Sequence, residues 1–292
     1  MSISGGRYQV LSGDERLDCA LRGRLKKDPE SPVSVGDFVV VERLADGSCR
    51  IRERRERTSA LTRHGVARRR EQVIAANIDQ VAAVVSVARP DPDFRMVDRL
   101  LVLAELNEVT GLVVLNKCEL GAACEALPDR FRPYRRAGYE VLATSAKTGT
   151  GLAELGERLA DRTSVLSGPS GVGKSSLLNA IMPGLDLRVG EVGERSGRGR
   201  HTTVAASLHP LPGSGFVVDT PGLQNLALWE VDPRELSAAF PEMREAAAAC
   251  RFGDCRHVAE PGCGVLDALA SGEIDKGRYE NYLSLREETE GG

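Results

Sequence analysis

Two short stretches of the 292-residue chain have residue types and spacing suited to chemistry. One is GPSGVGKS, Gly168 to Ser175, which fits the pattern G-x-x-x-x-G-K-S in full. Glycines in such a loop let successive backbone N–H groups turn inward around phosphate oxygens. An apolar, strand-like run precedes it and SSLLNAIM follows; a helix there would aim its positive end at the same anion. Lys174 can reach the β- and γ-phosphates, and Ser175 can ligate Mg²⁺. Gly168, Pro169, Ser170, Gly171, Val172, Gly173, Lys174, Ser175 and Ser176 are therefore candidate nucleotide contacts. The other stretch is CRFGDCRHVAEPGC, with the spacing C-x4-C-x-H-x5-C. Three thiolates and one imidazole from Cys250, Cys255, His257 and Cys263 would close a tetrahedral, structural Zn²⁺ site with no position open for catalysis. The plainer alternatives are a chance Gly-rich turn and a set of reduced cysteines in a small helical domain.

A phosphate loop alone leaves ATP and GTP undecided. VVLNKCEL puts Asn116, Lys117 and Glu119 at the end of a buried strand, where open α/β sheets place their ligands. The run resembles the guanine-reading pattern N-K-x-D, with Glu119 in place of the usual Asp. A carboxylate there can accept from guanine N1–H and N2–H₂, a donor pair that adenine lacks, and unpaired buried polar groups give strong rejection. TSAKTG resembles the companion loop S-A-K through Ser145, Ala146 and Lys147, with the Ala146 N–H facing guanine O6 and Lys147 backing the ring. FVVDTPG supplies D-x-x-G: Asp219 for Mg²⁺ through water and the Gly222 N–H for the γ-phosphate. Between the phosphate loop and DTPG lies RVGEVGERSGRGRHTTVAAS, Gly- and Arg-rich, where a switch segment belongs. Thr202 or Thr203 is its candidate Mg²⁺ ligand; the alternative is a plain flexible loop. GTP and GDP are thus the expected nucleotides.

The motif order is NKCE, SAK, phosphate loop, HTT, DTPG. Rotated, it becomes the usual GTPase order, so the sequence predicts a circularly permuted domain, which is physically tolerable where domain termini lie close together.

The elements that must carry these residues can be read from pattern. DQVAAVVSVA is continuously apolar, as for a strand buried on both faces of a parallel sheet. A helical pattern from Met96 to about Asn107, then GLVVLN, a helix, YEVLATSA, a helix near Leu152–Leu159 and SVLSG alternate as βαβ units of a doubly wound sheet. Residues 1–72 read as short strands, with a hairpin turn at Ala45-Asp46-Gly47, and predict an OB-type β-barrel of a kind that often binds oligonucleotides. Arg52 to Arg70 reads as a basic, turn-rich stretch, either a solvated linker or a phosphate-binding arm. GEIDKGRYENYLSLREE is helical, with Tyr279, Tyr282 and Leu285 on a core-facing stripe. The expected division is a barrel at 1–72, a GTPase domain at 73–233 and a helical zinc-binding domain at 234–292.

Composition bounds the rest. Hydrophobic residues at 41% and charged residues at 28% describe a globular chain, and no apolar run approaches the roughly 20 residues of a membrane span. The start MSISGGRYQV lacks the basic patch and apolar core of a secretory signal, so a cytoplasmic location is expected. The net charge of −3 hides an asymmetry: 16 Lys+Arg against 11 Asp+Glu in residues 1–72, and 23 against 31 beyond. The basic end predicts an anionic partner. Seven cysteines, with Cys19, Cys49, Cys118 and Cys124 scattered, argue against a disulfide framework.

A basic barrel, a permuted GTPase and a Cys/His tail together resemble one family, the small-ribosomal-subunit biogenesis GTPases called RsgA, YjeQ or EngC. Its most specific marks here are EQVIAANIDQV, the permuted order, RHTT, DTPG and CRHVAEPGC followed by RYENY. The resemblance covers nearly the whole chain. It implies a monomer that binds the 30S subunit and 16S rRNA late in assembly, with GTP hydrolysis stimulated by the particle and driving release. An RNA-binding scaffold with incidental hydrolysis is the competing reading; a small-molecule kinase is a third, which NKCE and SAK oppose. Leu223 follows D-x-x-G where many GTPases carry a water-orienting Gln. His201, beside the switch threonines, is the candidate catalytic group with Thr202 and Thr203, against the plain alternative of a surface histidine.

Overall fold

The computed structural model describes residues 3–4, 7–23, 33–64, 71–121, 128–182, 207–219 and 231–290. A six-stranded sheet forms its centre. Its strands are β8 (Gln80–Ser86), β9 (Thr110–Asn116), β10 (Glu140–Ala143), β11 (Thr163–Ser167), β12 (Ser207–Pro210) and β13 (Phe216–Asp219). The spatial order is β10-β9-β8-β11-β13-β12, parallel except for the edge strand β12. Every residue of β8 is buried. Its side chains alternate: Val81, Ala83 and Val85 join one hydrophobic cluster, and Ala82 and Val84 join another on the opposite face. That two-sided burial is why the stretch is apolar without a period.

On the first face lies α1 (Phe94–Leu106), which buries Val97, Leu100, Leu101 and Ala104 and is capped by the Asp93 carboxylate accepting from the Met96 N–H. The second face receives α3 (Leu152–Leu159) and α4 (Lys174–Ile181) through Leu155, Leu159, Leu177 and Leu178. Each such leucine contributes about 1.5–3 kcal/mol by leaving water. The short α2 (Arg132–Arg136) precedes β10.

Strand order reverses between β8 and β11. Chain leaving β8 builds outward to β9 and β10, whereas chain leaving β11 builds the other way to β13 and β12. The crevice at the C-terminal ends of β8 and β11 is therefore the topological switch point of the sheet, where such folds bind ligands.

The first strands, β1 (Ile3–Ser4), β2 (Arg7–Ser12), β3 (Glu15–Leu21), β4 (Val39–Arg43) and β5 (Cys49–Arg54), form a five-stranded sheet in the order β1-β2-β3-β5-β4, with β3 and β5 parallel. This fits the expected OB-type barrel. Its core of Val10, Leu17, Cys19, Val33 and Ile51 is separate from the two central clusters. The basic stretch after β5 differs from the linker expected. Ala60–His64 is a strand, β6, paired antiparallel with β7 (Glu71–Ala76), and Leu61 of that pair is buried. Ala60, Leu61, Thr62, Val73, Ile74, Ala75 and Ala76 make this a half-buried to buried ribbon, which the net charge of the stretch conceals.

The tail comprises α5 (Pro233–Ala238), α6 (Pro241–Ala247), α7 (Gly264–Ser271) and α8 (Lys276–Glu290). Leu236, Phe240, Met243, Tyr282 and Leu285 belong to the same cluster as the inner face of α1. No described helix is long and apolar enough to cross a membrane.

Candidate nucleotide and metal sites

The phosphate loop leaves β11 and enters α4 with three glycines at positive φ. At two of them the space is closed. A Cβ on Gly168 would lie 2.0 Å from the Val84 carbonyl oxygen, and one on Gly173 would lie 2.4 Å from Asn116 Nδ2. The loop thus packs on β8 and on the N-K-x-E segment with no room for a side chain. Lys174 folds back: its Nζ donates to the Gly168 and Pro169 carbonyls at 2.7 and 2.9 Å. Burial lowers its pKa and Asp219, at the end of β13, counters that. Register across the sheet sets Asp219 opposite Leu166 of β11 and Ser207 of β12.

At the other end of the crevice, Asn116 is buried and works as a brace. Its Nδ2 donates to the Val172 carbonyl at 2.8 Å, while its Oδ1 accepts from the Ala146 N–H at 3.3 Å and the Thr144 hydroxyl at 3.4 Å. One side chain therefore links the phosphate loop to the Ser145–Lys147 loop. The Ala146 N–H, expected to face a base oxygen, is turned to Asn116 here. Ser145 Oγ accepts from the Thr148 N–H, closing that loop, and Lys147 is exposed. Lys117 takes a left-handed conformation, and its Nζ donates to the Arg89 carbonyl. Glu119 Oε2 is buried with no hydrogen-bond partner among the described residues.

These features fit a guanine nucleotide. An orphaned carboxylate oxygen is costly unless something donates to it, and guanine N1–H and N2–H₂ are donors of the right kind. The sterically closed glycine loop leaves backbone N–H groups as the lining for phosphates. Of the residues expected at this site, His201, Thr202, Thr203 and Gly222 lie outside the described residues. Thr144 is a contributor that the motifs did not single out, whereas Val172 was among the expected contacts. Thr144 directly precedes the S-A-K run, and Val172 takes part through its backbone carbonyl.

In the tail, the ligand atoms of Cys250, Cys255, His257 and Cys263 lie within 4.8 Å of one another. His257 Nδ1 is 3.5 Å from Cys250 Sγ and 3.4 Å from Cys263 Sγ, and the two sulfurs are 3.9 Å apart. Zinc bonds of about 2.3 Å to sulfur and 2.0 Å to nitrogen, set tetrahedrally, give ligand separations of roughly 3.5–3.8 Å. The donor set and spacing fit that ion. The surrounding loop is held from two sides. Glu260 accepts from the backbone N–H groups of Arg256, Val258 and Ala259. Burial would raise its pKa, but those N–H groups hold it down at about 2. Tyr279 and Tyr282 donate to the carbonyls of His257 and Arg256 at 2.7 and 2.9 Å. That explains why their stripe on α8 is buried yet polar at its tips. Cys19 and Cys49 are free thiols, whereas Cys118 is disulfide-bonded, contrary to the expectation from its isolated spacing.

Comparison with known proteins supplies the context. A family model described as RsgA GTPase matches residues 54–229, and one described as RsgA N-terminal domain matches residues 1–51. A small ribosomal subunit biogenesis GTPase RsgA of Gemmatimonas aurantiaca is 45% identical, over 99% of this chain and 95% of its own length. Another of that name, from Moorella thermoacetica, is 43% identical over 96% and 93%. The crystal structure of YjeQ from Thermotoga maritima matches with a TM-score of 0.79 at 38% identity, covering 98% of this chain and 94% of that one. YloQ, a circularly permuted GTPase, matches with 0.74 at 32% identity over 98% and 92%.

Proposed function

This chain belongs to the RsgA family of GTPases and hydrolyses GTP in the biogenesis of the small ribosomal subunit, and from that premise we propose that it binds the 30S particle through 16S rRNA, assists late maturation, and is released by hydrolysis. The barrel, residues 1–72, is the RNA-binding part, residues 73–233 hold the nucleotide, and residues 234–292 hold one structural zinc. The protein acts as a cytoplasmic monomer. Its relatives' names carry the ribosomal step; the observation that carries the guanine step is the buried, unpartnered Glu119 oxygen beside the braced Asn116.

In this proposal Glu119 accepts from the guanine edge and Asn116 holds the two flanking loops in register. Lys117 and the Ser145–Lys147 loop border the base, and the Gly168–Ser176 loop surrounds the phosphates. Lys174 exchanges its two loop carbonyls for phosphate oxygens. Ser175, Thr203 and Asp219 hold magnesium, with Thr202 as the other switch candidate, and Gly222 senses the γ-phosphate. Bound magnesium supplies neutralisation of developing phosphate charge. His201 orients the attacking water.

The test is GTP hydrolysis by the full chain with and without purified 30S subunits, with ATP and 50S controls and Ser175→Ala. Stimulation confined to GTP and 30S and lost in the variant supports release driven by hydrolysis. Binding of GTP without stimulation favours the scaffold. His201→Ala with undiminished stimulated hydrolysis removes the histidine from catalysis.

A further inference from the structure

The switch-point crevice has two walls, one from the chain leaving β11 and one from the chain leaving β8. The phosphate loop is the first. The second, residues 87–90, carries no motif, yet it contacts both ends of the site. Ser86, the last residue of β8, is fully buried and stands opposite Asn116 in the sheet register. Its hydroxyl donates to the Pro90 carbonyl at 2.6 Å. The Val87 N–H donates to the Asn116 carbonyl at 3.0 Å. Between these two ties, Arg89 sits at φ 53°, and its carbonyl accepts from Lys117 Nζ. On the other side, Pro90 Cδ lies 3.7 Å from where a Cβ on Gly171 of the phosphate loop would stand.

We propose that Ser86 is a positioning residue for guanine-nucleotide binding: its hydroxyl latches the 87–90 turn so that the Arg89 carbonyl anchors Lys117 beside the phosphate loop. The proposal rests on the assignment of Lys117 to the base site. A lysine side chain is flexible at four torsions, and ordering it costs entropy on binding. Here the carbonyl holds the ammonium in one place, while the stem runs past Gly173, whose absent Cβ would lie 3.9 Å from Lys117 Cε. Without the hydroxyl, the Pro90 carbonyl loses its partner from β8, the turn is released, and Lys117 loses its fixed acceptor. Ser86 touches no nucleotide; it acts through Lys117.

Such an indirect role makes a distinctive prediction. A fluorescent N-methylanthraniloyl-GDP is titrated into the full chain carrying Ser86→Ala, Lys117→Met or both, with thermal melting of the nucleotide-free proteins as the folding control. Ser86→Ala is expected to weaken binding about three- to tenfold, the scale of one hydrogen bond. In the Lys117→Met background it is expected to change nothing further. Equal factors in both backgrounds, or tight binding by Ser86→Ala, would overturn the proposal. Lys117→Met that binds as tightly as wild type would instead remove Lys117 from the base site, and the proposal with it. Should Ser86→Ala not fold, Pro90→Gly loosens the same turn from an exposed position and must show the same loss and the same dependence on Lys117.

Discussion

The barrel and the tail are joined to the GTPase body to different degrees. The tail has no core of its own: Phe240, Met243, Tyr282 and Leu285 belong to the cluster that also holds α1 and one face of the sheet. At the centre of that junction is Arg278. It donates to both Glu242 oxygens at 2.7 and 3.0 Å and to Asp98, and its guanidinium lies 4.8 Å from the Phe240 ring centroid and 5.0 Å from that of Tyr134. Burial opposes its charge, but Asp98 and Glu242 outweigh that and hold it protonated. The barrel instead keeps a separate small core, and it meets the body through two buried residues, Val35 and Leu61, that join the central cluster, together with a set of polar links. On the barrel side of the joint, Arg57 pairs with Asp37 at 2.7 and 2.8 Å. Asn77 accepts from the Thr58 N–H and donates to the Gly36 carbonyl. A cleft of about 170 Å³, lined in part by Arg16, Ser207, His209 and Phe216, separates β2 from the edge strand β12. A large shared dry core transmits movement, whereas a joint with few apolar contacts, several polar links and a cleft beside it lets a module shift more easily.

The comparison breaks first, if it breaks, at Arg278. Arg278→Ala strands Asp98, whose side chain has no exposure, and removing one partner of a buried pair costs about 3–5 kcal/mol. Denaturant unfolding should show that loss with tail and body melting at a common, lowered midpoint. A tail that melts separately, with the body unchanged, would contradict the shared core. Metal removal is expected to act next and more locally. Chelation, or Cys255→Ser, should release one zinc per chain and free the carbonyls that Tyr279 and Tyr282 hold. The 250–263 segment should then open to protease, while the barrel and the nucleotide site hold. Loss of nucleotide binding on chelation would mean that the metal loop reaches further into the body than its contacts indicate.

What the sequence made legible follows the same division. The phosphate loop, N-K-x-E and the Cys/His cluster could be read because their chemistry restricts both residue type and spacing, whereas all of D-x-x-G after Asp219 lies outside the described residues. The doubly wound sheet was legible in β8, whose burial on both faces leaves a continuous apolar run. Arg278 and Asp98 were not, because they stand 180 residues apart and each alone resembles a helix surface charge. Strand β6 was hidden because charged residues dominate the stretch around it, in which Leu61 is the fully buried side chain among the described residues. Ser86 and Arg89 act through a hydroxyl and a backbone carbonyl, and neither leaves a pattern.

Asn77 should register at an intermediate level. It takes φ 53°, which Asn tolerates better than Ala, and its amide satisfies groups from two separate segments. Asn77→Ala is expected to cost about 1–3 kcal/mol. The loss should appear as increased protection-factor loss in amide exchange of the barrel and the β6–β7 ribbon, with little change around α8. A uniform loss across all three parts would show that the barrel is as firmly fused to the body as the tail.

The smallest effect is expected at the cleft, where it depends on pH. His209 lies on β12 with Nε2 3.0 Å from Ser207 Oγ. Burial, chiefly, holds its pKa below the usual histidine value, Asp219 pulls it up, and Arg16 across the cleft presses it down. A base depressed in the folded state binds fewer protons there than when unfolded, so its contribution is whole above about pH 6.5 and is lost as pH falls below that. Wild type should therefore lose stability relative to His209→Gln as pH falls below about 6.5, by no more than about 1 kcal/mol at a half-exposed site. The difference between the two proteins cancels the other histidines. If the barrel joint is the adjustable one, the loss should be confined to exchange from β2 and β12, and salt should reduce the part due to Arg16. An acid-induced loss that instead tracks α1 and α8 would assign the pH response to the tail junction and reverse the roles of the two joints.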